Sequence, residues 1–319
     1  MKKYMDVVTF GESMVVFNPD SRGPLRYVHT FSKSLGGAEM NLAIALARLG
    51  HSVGWFSRVG DDEFGRFILN SVRAEGVDVS RVIIDKESYT GILFKEWYYT
   101  SNPNVYYYRR GSAASKISGD DIDENYIKRA KILHITGITP AISESAAEAV
   151  FKAVEIAKRN NVMISFDPNL RLKLWSIEKA REILLEIAKS ANIVMPGLDE
   201  AKLLIGKNDC REIADYFLSL GVNLVAIKLG KEGCYLKNKN EEVYVAGYKV
   251  EKIEDTVGAG DGFDAGVLSG LLKKLTLREC GELANGVGAM ATLIKGDIEG
   301  YPYWEQLMEF IGKRSKIER

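Results

Sequence analysis

The residues with the clearest chemistry form one stretch, Asp255–Gly266, in which closely spaced glycines and an aspartate precede apolar residues at helical spacing. This pattern predicts a glycine turn that opens a helix. The first N–H groups of a helix have no partner and carry partial positive charge, so the amides of Gly258, Ala259 and Gly260 would bind an anion. The carboxylate of Asp261 would repel a phosphate there, unless it faces a substrate hydroxyl as a base. The combination is typical of phosphoryl transfer.

This stretch resembles the C-terminal signature D-T-x-G-A-G-D of the ribokinase-like (PfkB) family of carbohydrate kinases. The glycines also satisfy a dinucleotide-binding pattern at Gly260-x-Gly262-x-x-Ala265. That motif belongs in an early βαβ unit, however, and here it lies near the C-terminus. The resemblance implies ATP as the phosphoryl donor together with Mg²⁺, and it leaves a monovalent cation open as a further cofactor. It also implies that Thr256 contacts ATP and that Asp261 is the base.

A second glycine pair lies near the N-terminus, where Gly36 and Gly37 precede an alanine-rich stretch that predicts a helix and contains Asn41. The string resembles the N-terminal family signature G-G-x-x-x-N. Glycine lets the backbone approach a ligand closely, and an asparagine side chain offers both a donor and an acceptor to a hydroxyl group. We therefore expect these three residues at the sugar.

The nucleotide is expected at a later loop. Lys228, Gly230 and Gly233 follow a predicted strand and resemble the G-x-x-G nucleotide loop of the family. We expect the loop backbone to contribute more than the ammonium group. Asn285 lies on a late helix rich in small residues, which either allow close helix packing or leave room for an adenine ring.

A metal role is expected for Glu200, which matches the glutamate of the family's N-x-x-E element. Mg²⁺ keeps several waters and takes few carboxylates, so Glu200 would act through water. Gly197 replaces the usual asparagine of this element, so no direct role is assigned to that position.

Two arginines indicate that the sugar carries an acid group, because a buried carboxylate without a cation is expensive. Arg109 ends an aromatic segment, and Arg171 follows a predicted strand end. The sequences around these two arginines, together with residues 134–141, look like those of the 2-keto-3-deoxygluconate kinase branch of the family. Leu93 stands where some members have a tyrosine, so the hydrogen bond of that tyrosine is unaccounted for. The resemblance implies that the sugar acid meets Gly37, Asn41, Tyr107, Arg109, Ile138, Arg171 and Asp261.

Strands that alternate with helices along most of the chain predict an α/β protein. We expect a ribokinase-like fold with a largely parallel central sheet, helices on both faces and a small β lid. The chain is expected to form a single domain over residues 1–319, with lid segments at roughly 13–34 and 89–110. The second segment reads as an aromatic β-hairpin. It would serve as a lid over the sugar, or alternatively as an edge hairpin or subunit contact.

The composition excludes several classes of function. Lys plus Arg and Asp plus Glu number 43 each, so no overall charge attracts nucleic acid or an acidic membrane. No apolar run approaches eighteen residues, which disfavours a membrane span or export. The three cysteines are far apart in sequence, as expected in the reducing cytoplasm. An aromatic lid favours a homo-oligomer.

These observations predict ATP-dependent phosphorylation of 2-keto-3-deoxy-D-gluconate at its 6-hydroxyl. Asp261 would be the base, and the amides of Gly258–Asp261 would stabilise the transferring phosphoryl group. Two alternatives remain open: a fructokinase or ribokinase of a neutral sugar, and a sugar-binding module without catalysis. The preference between gluconate and galactonate derivatives is also open.

Overall fold

The strands form three sheets in the computed structural model, which describes residues 4–98 and 103–314. Six strands of the largest sheet run parallel, and a β-hairpin extends one edge. In chain order, the strands are β1 Met5–Phe10, β2 Met14–Pro19, β3 Phe31–Gly36, β4 Val53–Phe56, β5 Arg58–Gly60, β6 Ile83–Asp85, β7 Ile92–Glu96, β8 Asn104–Tyr108, β9 Ala130–Thr136, β10 Met163–Asp167, β11 Ile193–Val194, β12 Leu224–Lys228, β13 Gly233–Asn238 and β14 Glu242–Ala246.

The large sheet has the strand order β14-β13-β12-β11-β10-β9-β1-β4. Helices cover it on both sides. They are α1 Ala38–Arg48, α2 Glu63–Ala74, α3 Glu124–Ile127, α4 Thr139–Ile142, α5 Glu144–Arg159, α6 Ile177–Ala188, α7 Leu198–Ile205, α8 Cys210–Ser219, α9 Ala259–Leu272, α10 Leu277–Ala291 and α11 Trp304–Phe310.

Each face of the sheet has its own apolar core, because successive side chains of a strand point to opposite faces. Val7 of β1 packs with residues of α1, α9 and α10, whereas Val8 packs with residues of α5, α6 and α8. The predicted α/β architecture with helices on both faces is therefore confirmed. None of the helices in the described residues is long and apolar enough to cross a membrane.

The two predicted lid segments contribute the strands of a separate four-stranded sheet with the order β3-β2-β7-β8. β7 and β8 form an antiparallel hairpin in which Ile92 pairs with Tyr108 and Glu96 pairs with Asn104. The predicted turn of this hairpin, at residues 100–104, lies largely outside the described residues. We call this unit the lid sheet; its movement over the sugar stays a prediction.

The site lies where the parallel strands end, as expected for an open α/β sheet. β10 ends at Asp167 and β12 ends at Lys228. The N-terminus of α9 reaches the same edge, and Asn41 of α1 contacts α9 there.

Candidate active site

Helix α9 begins at the predicted glycine turn. Gly258 is its N-cap residue and has φ = +81°, a left-handed conformation that favours glycine. A Cβ atom at this position would lie 2.1 Å from the carbonyl oxygen of Asp297. The hydroxyl group of Tyr301 donates a hydrogen bond of 2.7 Å to the Gly258 carbonyl oxygen. The turn is thus held firmly, and within the described residues the amides of Gly260 and Asp261 have no protein acceptor.

Asp261 lies in the first turn of α9 with 8% of its surface exposed. Asn41 Nδ2 donates to its Oδ2 over 2.8 Å. Burial raises the pKa of Asp261 from 3.8 to about 7, while the Asn41 hydrogen bond lowers it and the charge of Asp167 raises it further. Arg171 acts in the opposite direction. A carboxyl group with this pKa can accept a proton near neutral pH.

A cavity of about 740 Å³ opens beside Asp261. Its wall brings together most of the residues predicted for the sugar, the phosphate and the metal: Gly37, Asn41, Tyr107, Arg109, Ile138, Arg171, Glu200, Lys228, Thr256, Gly258, Gly260 and Asp261. Leu93 also lies on this wall. Gly36 and Ala259 are chain neighbours of wall residues, whereas Gly230, Gly233 and Asn285 are not part of the wall.

The two arginines predicted for the acid group have different surroundings. Arg109 forms an ion pair with Glu12, which is buried and also accepts a hydrogen bond of 2.8 Å from Ser112 Oγ. Burial raises the pKa of Glu12, and Arg109 and Ser112 lower it. Arg171 is exposed at the cavity, and no ion pair to it is seen in the part of the chain that the structure describes. Arg171 is therefore the more available cation.

Lys228 is bound by the protein itself. Its Nζ lies 2.9 Å from Asp167 Oδ1 and 3.2 Å from Asp264 Oδ1. Burial lowers the pKa of this ammonium group, but the two carboxylates raise it more, so it remains charged. Burial and the charge of Asp167 raise the pKa of Asp264. The ammonium group thus has two internal partners, in line with the expectation that the loop backbone matters more.

The remaining residues predicted for ATP make contacts within the fold. Gly233 has φ = +109°, and a Cβ atom there would lie 2.1 Å from the carbonyl oxygen of Val245. Gly230 opens the single helical turn that leads to Gly233. Asn285 Nδ2 donates to the carbonyl oxygens of Val245 and Ala246 over 3.0 and 3.1 Å. These contacts anchor the end of β14 and give Asn285 a structural role independent of adenine.

Glu200, which was predicted to act on Mg²⁺, uses its carboxylate to cap the N-terminus of helix α7. Its two oxygens accept hydrogen bonds of 2.8 Å from the amides of Leu170 and Gly197. No group of three or more potential metal ligands is found among residues 4–98 and 103–314. Carboxylate oxygens on the cavity wall suit Mg²⁺, which keeps most of its waters. The site therefore fits a Mg²⁺ ion that would be held mainly by phosphates and by water, with Glu200 acting on one of those waters as predicted.

The sequence reasoning missed several charged residues of the cavity wall. Glu12 and Asp167 each follow or end a strand, and that position could have marked them as site residues. Lys95 and Asp297 are 202 positions apart and bind each other over 2.8 Å. The only local signal for Lys95 is the alternation of β7, which puts it on the same face of the strand as the buried Leu93. Its partners could not be found without the fold.

The chain is similar to known carbohydrate kinases over nearly its whole length. The sequence profile of the pfkB family carbohydrate kinases matches residues 5–304. The 2-dehydro-3-deoxygluconokinase of Bacillus subtilis (strain 168) is 42% identical over 317 residues, covering 99% of this chain and 98% of its own. The enzyme of the same name from Thermoproteus tenax is 36% identical over 302 residues, covering 93% and 91%. A putative ribokinase II of E. coli, solved with ATP and Mg²⁺, superposes with a TM-score of 0.91 at 29% identity, covering 97% of this chain and all of that one.

Proposed function

Because the chain belongs to the pfkB family of carbohydrate kinases, we propose that it transfers a phosphoryl group from ATP to the 6-hydroxyl of 2-dehydro-3-deoxygluconate, also called 2-keto-3-deoxygluconate. The observation that carries this proposal is the position of Asp261. Its carboxyl group has a pKa of about 7 and lies in the first turn of α9, next to amides without a protein acceptor. Two relatives that match over nearly their whole length carry the name of this activity.

In the proposed reaction, Asp261 accepts the proton of the 6-hydroxyl as the oxygen attacks the γ-phosphorus of ATP. The bond from the γ-phosphorus to the bridging oxygen of the β-phosphate breaks, and ADP leaves with its electron pair. Asn41 holds the carboxylate in place through its hydrogen bond of 2.8 Å to Oδ2. The amides of Gly260 and Asp261 stabilise the negative charge on the transferring phosphoryl oxygens. Mg²⁺, when bound, would neutralise charge on the nucleotide phosphates, and Glu200 would hold it through water.

The acid group of the sugar is proposed to bind against Arg171 on the cavity wall. Arg109 supports this group from the end of the lid sheet, but its charge is already compensated by Glu12. A cation that holds the carboxylate fixes the distance from the acid group to the reacting hydroxyl, and this positioning accelerates the reaction. The same requirement disfavours a neutral sugar such as fructose, which offers Arg171 no partner.

The lid sheet is also the proposed contact between two copies of the chain. Its outer side carries a groove of about 490 Å³ lined by side chains that include Phe31, Phe94, Tyr106 and Tyr108. Tyr108 is 59% exposed, and large exposed apolar patches mark interaction surfaces. We therefore propose a homodimer. We also propose that the protein is located in the cytoplasm, which is consistent with its three cysteines being free of disulfides.

The test is ADP release by the purified enzyme with ATP, Mg²⁺ and a panel of sugars. The panel contains 2-dehydro-3-deoxygluconate, its galactonate epimer, fructose and ribose. The highest kcat/KM is expected for one of the two sugar acids. A preference for fructose or ribose would support the neutral-sugar alternative, and no turnover with any sugar would support a binding module without catalysis.

A further inference from the structure

Lys95 carries a buried ammonium group that has no role in the reaction proposed above. It lies on β7 of the lid sheet, and only 1% of its surface is exposed. Burying a charge is expensive unless the charge is paired and hydrogen-bonded. A lysine at this position therefore needs specific partners to remain charged.

Both partners of Lys95 are buried carboxylates that belong to the phosphate-binding region. Nζ lies 3.0 Å from Asp255 Oδ2 and 2.8 Å from Asp297 Oδ1. Although burial alone lowers the pKa of this ammonium group, the two carboxylates raise it above its ordinary value. The side chain thus joins three segments that are distant in sequence: the lid sheet, the start of the glycine turn and the loop after α10.

Both aspartates adjoin the glycine turn, Asp255 through its carboxylate and Asp297 through its backbone carbonyl. Asp255 Oδ1 accepts the amide of Val257 over 3.0 Å, and Asp255 Oδ2 accepts the amide of Gly296 over 3.3 Å. The backbone carbonyl of Asp297 lies so close to Gly258 that a Cβ atom there would be 2.1 Å away. A shift of either aspartate would therefore move the amides that face the phosphate.

We propose that Lys95 is a positioning residue for phosphoryl transfer: its ammonium group is a resident cation that holds residues 255–261 against residues 296–301 and links the lid sheet to this turn. Without the ammonium group, Asp255 and Asp297 would lose the donor that joins them, and as two buried carboxylates they would also repel each other. The turn would open, and the amides and Asp261 would leave their productive positions. This inference rests on the proposed kinase reaction and adds a requirement to it.

The test uses Lys95→Met, which keeps the volume and removes the charge. Because misplacement of reacting groups by about 1 Å can cost on the order of 100-fold, we expect kcat to fall about 10- to 100-fold with a small change in the KM for the sugar acid. Lys33→Met is the matched control, since Lys33 is an exposed lysine of the same lid sheet. It should leave kcat unchanged.

The double variant Lys95→Met/Asp297→Asn separates catalysis from stability. It removes one of the two uncompensated carboxylates, so we expect a higher melting temperature than for Lys95→Met alone, while kcat stays low. Recovery of kcat together with stability would overturn the proposal, because the ammonium group would then only neutralise charge. The same holds if Lys95→Met has the kcat of the wild type.

Chemical rescue tests the need for a cation directly. In Lys95→Ala, added propylammonium replaces the atoms that the substitution removes, and propan-1-ol replaces them without the charge. We expect propylammonium, and not propan-1-ol, to raise kcat. Rescue by both compounds equally, or by neither, contradicts the proposal. If the wild type itself fails to phosphorylate any sugar, the proposed function fails first, and the two failures are therefore distinguishable.

Discussion

Replacing Asp261 by asparagine is expected to make the protein more stable while it removes catalysis. The substitution keeps the size and shape of the side chain, and the amide oxygen can still accept the hydrogen bond from Asn41 Nδ2, which is 2.8 Å long in the wild type. It removes the ionisable group that burial makes expensive. Loss of the base should lower kcat by about 10²–10⁴-fold.

The gain in stability follows from the pKa of Asp261, which rises from an ordinary 3.8 to about 7 in the folded protein. Ionising the buried group at high pH therefore costs roughly 4 kcal/mol, since each pKa unit corresponds to about 1.4 kcal/mol. A raised carboxyl pKa means that the folded state binds the proton more tightly. Its contribution to stability is complete below the unfolded-state pKa and is lost as the pH rises through about 7.

The variant should therefore exceed the wild type by up to about 4 kcal/mol near pH 8, and the difference should shrink toward about pH 4. With about 2.1 cal/mol/K of unfolding entropy per residue and 319 residues, this corresponds to roughly 6 °C in Tm. Differential scanning calorimetry at several pH values measures it. Asp120→Asn, at an exposed aspartate outside the cavity wall, is the control. Equal or lower stability of Asp261→Asn near pH 8 would refute the assigned burial cost.

Three further predictions concern the same site. In the wild type, kcat/KM should rise about tenfold per pH unit up to about pH 7 and then level off, because Asp261 must lose its proton before it can act as the base. A flat profile across this range would contradict the base assignment. Arg171→Ala should raise the KM for the sugar acid roughly 30-fold, which corresponds to about 2 kcal/mol of binding free energy. This value is at the low end of the range for removing one partner of a charge pair, because Arg171 is exposed. An unchanged KM would place the acid group elsewhere. Amide exchange in residues 89–98 and 103–110 should slow when the sugar acid binds, and equal protection with and without it would favour a fixed interface.

The sequence alone predicts the parts of the site that rest on local rules. The glycine turn before α9 could be found because left-handed backbone and close approach require glycine, as the φ of +81° at Gly258 confirms. The strand and helix alternation could be found because each element has its own apolar period. The largely parallel sheet and the apolar cores on both of its faces agree with that prediction.

The pairing of charges could not be predicted, because it depends on segments that meet only in the fold. Arg109 and Arg171 look alike in the sequence, yet one is paired with Glu12 and the other is exposed. Lys228 looks like a phosphate ligand, yet it is held by Asp167 and Asp264. No spacing rule links positions so far apart, and their partners are set by strand order.

These pairings explain how a cavity with many carboxylates can still accept phosphates. Lys95 and Lys228, the first buried and the second half-buried, are each held by two aspartates, so that much of the negative charge on the wall is compensated before any ligand arrives. In the proposed reaction, the transferring phosphoryl group meets backbone amides at the start of α9, whose dipole does not titrate. The wall thus separates two tasks. Fixed dipoles receive the charge, and Asp261 is left as the carboxyl group whose pKa of about 7 suits proton transfer near neutrality.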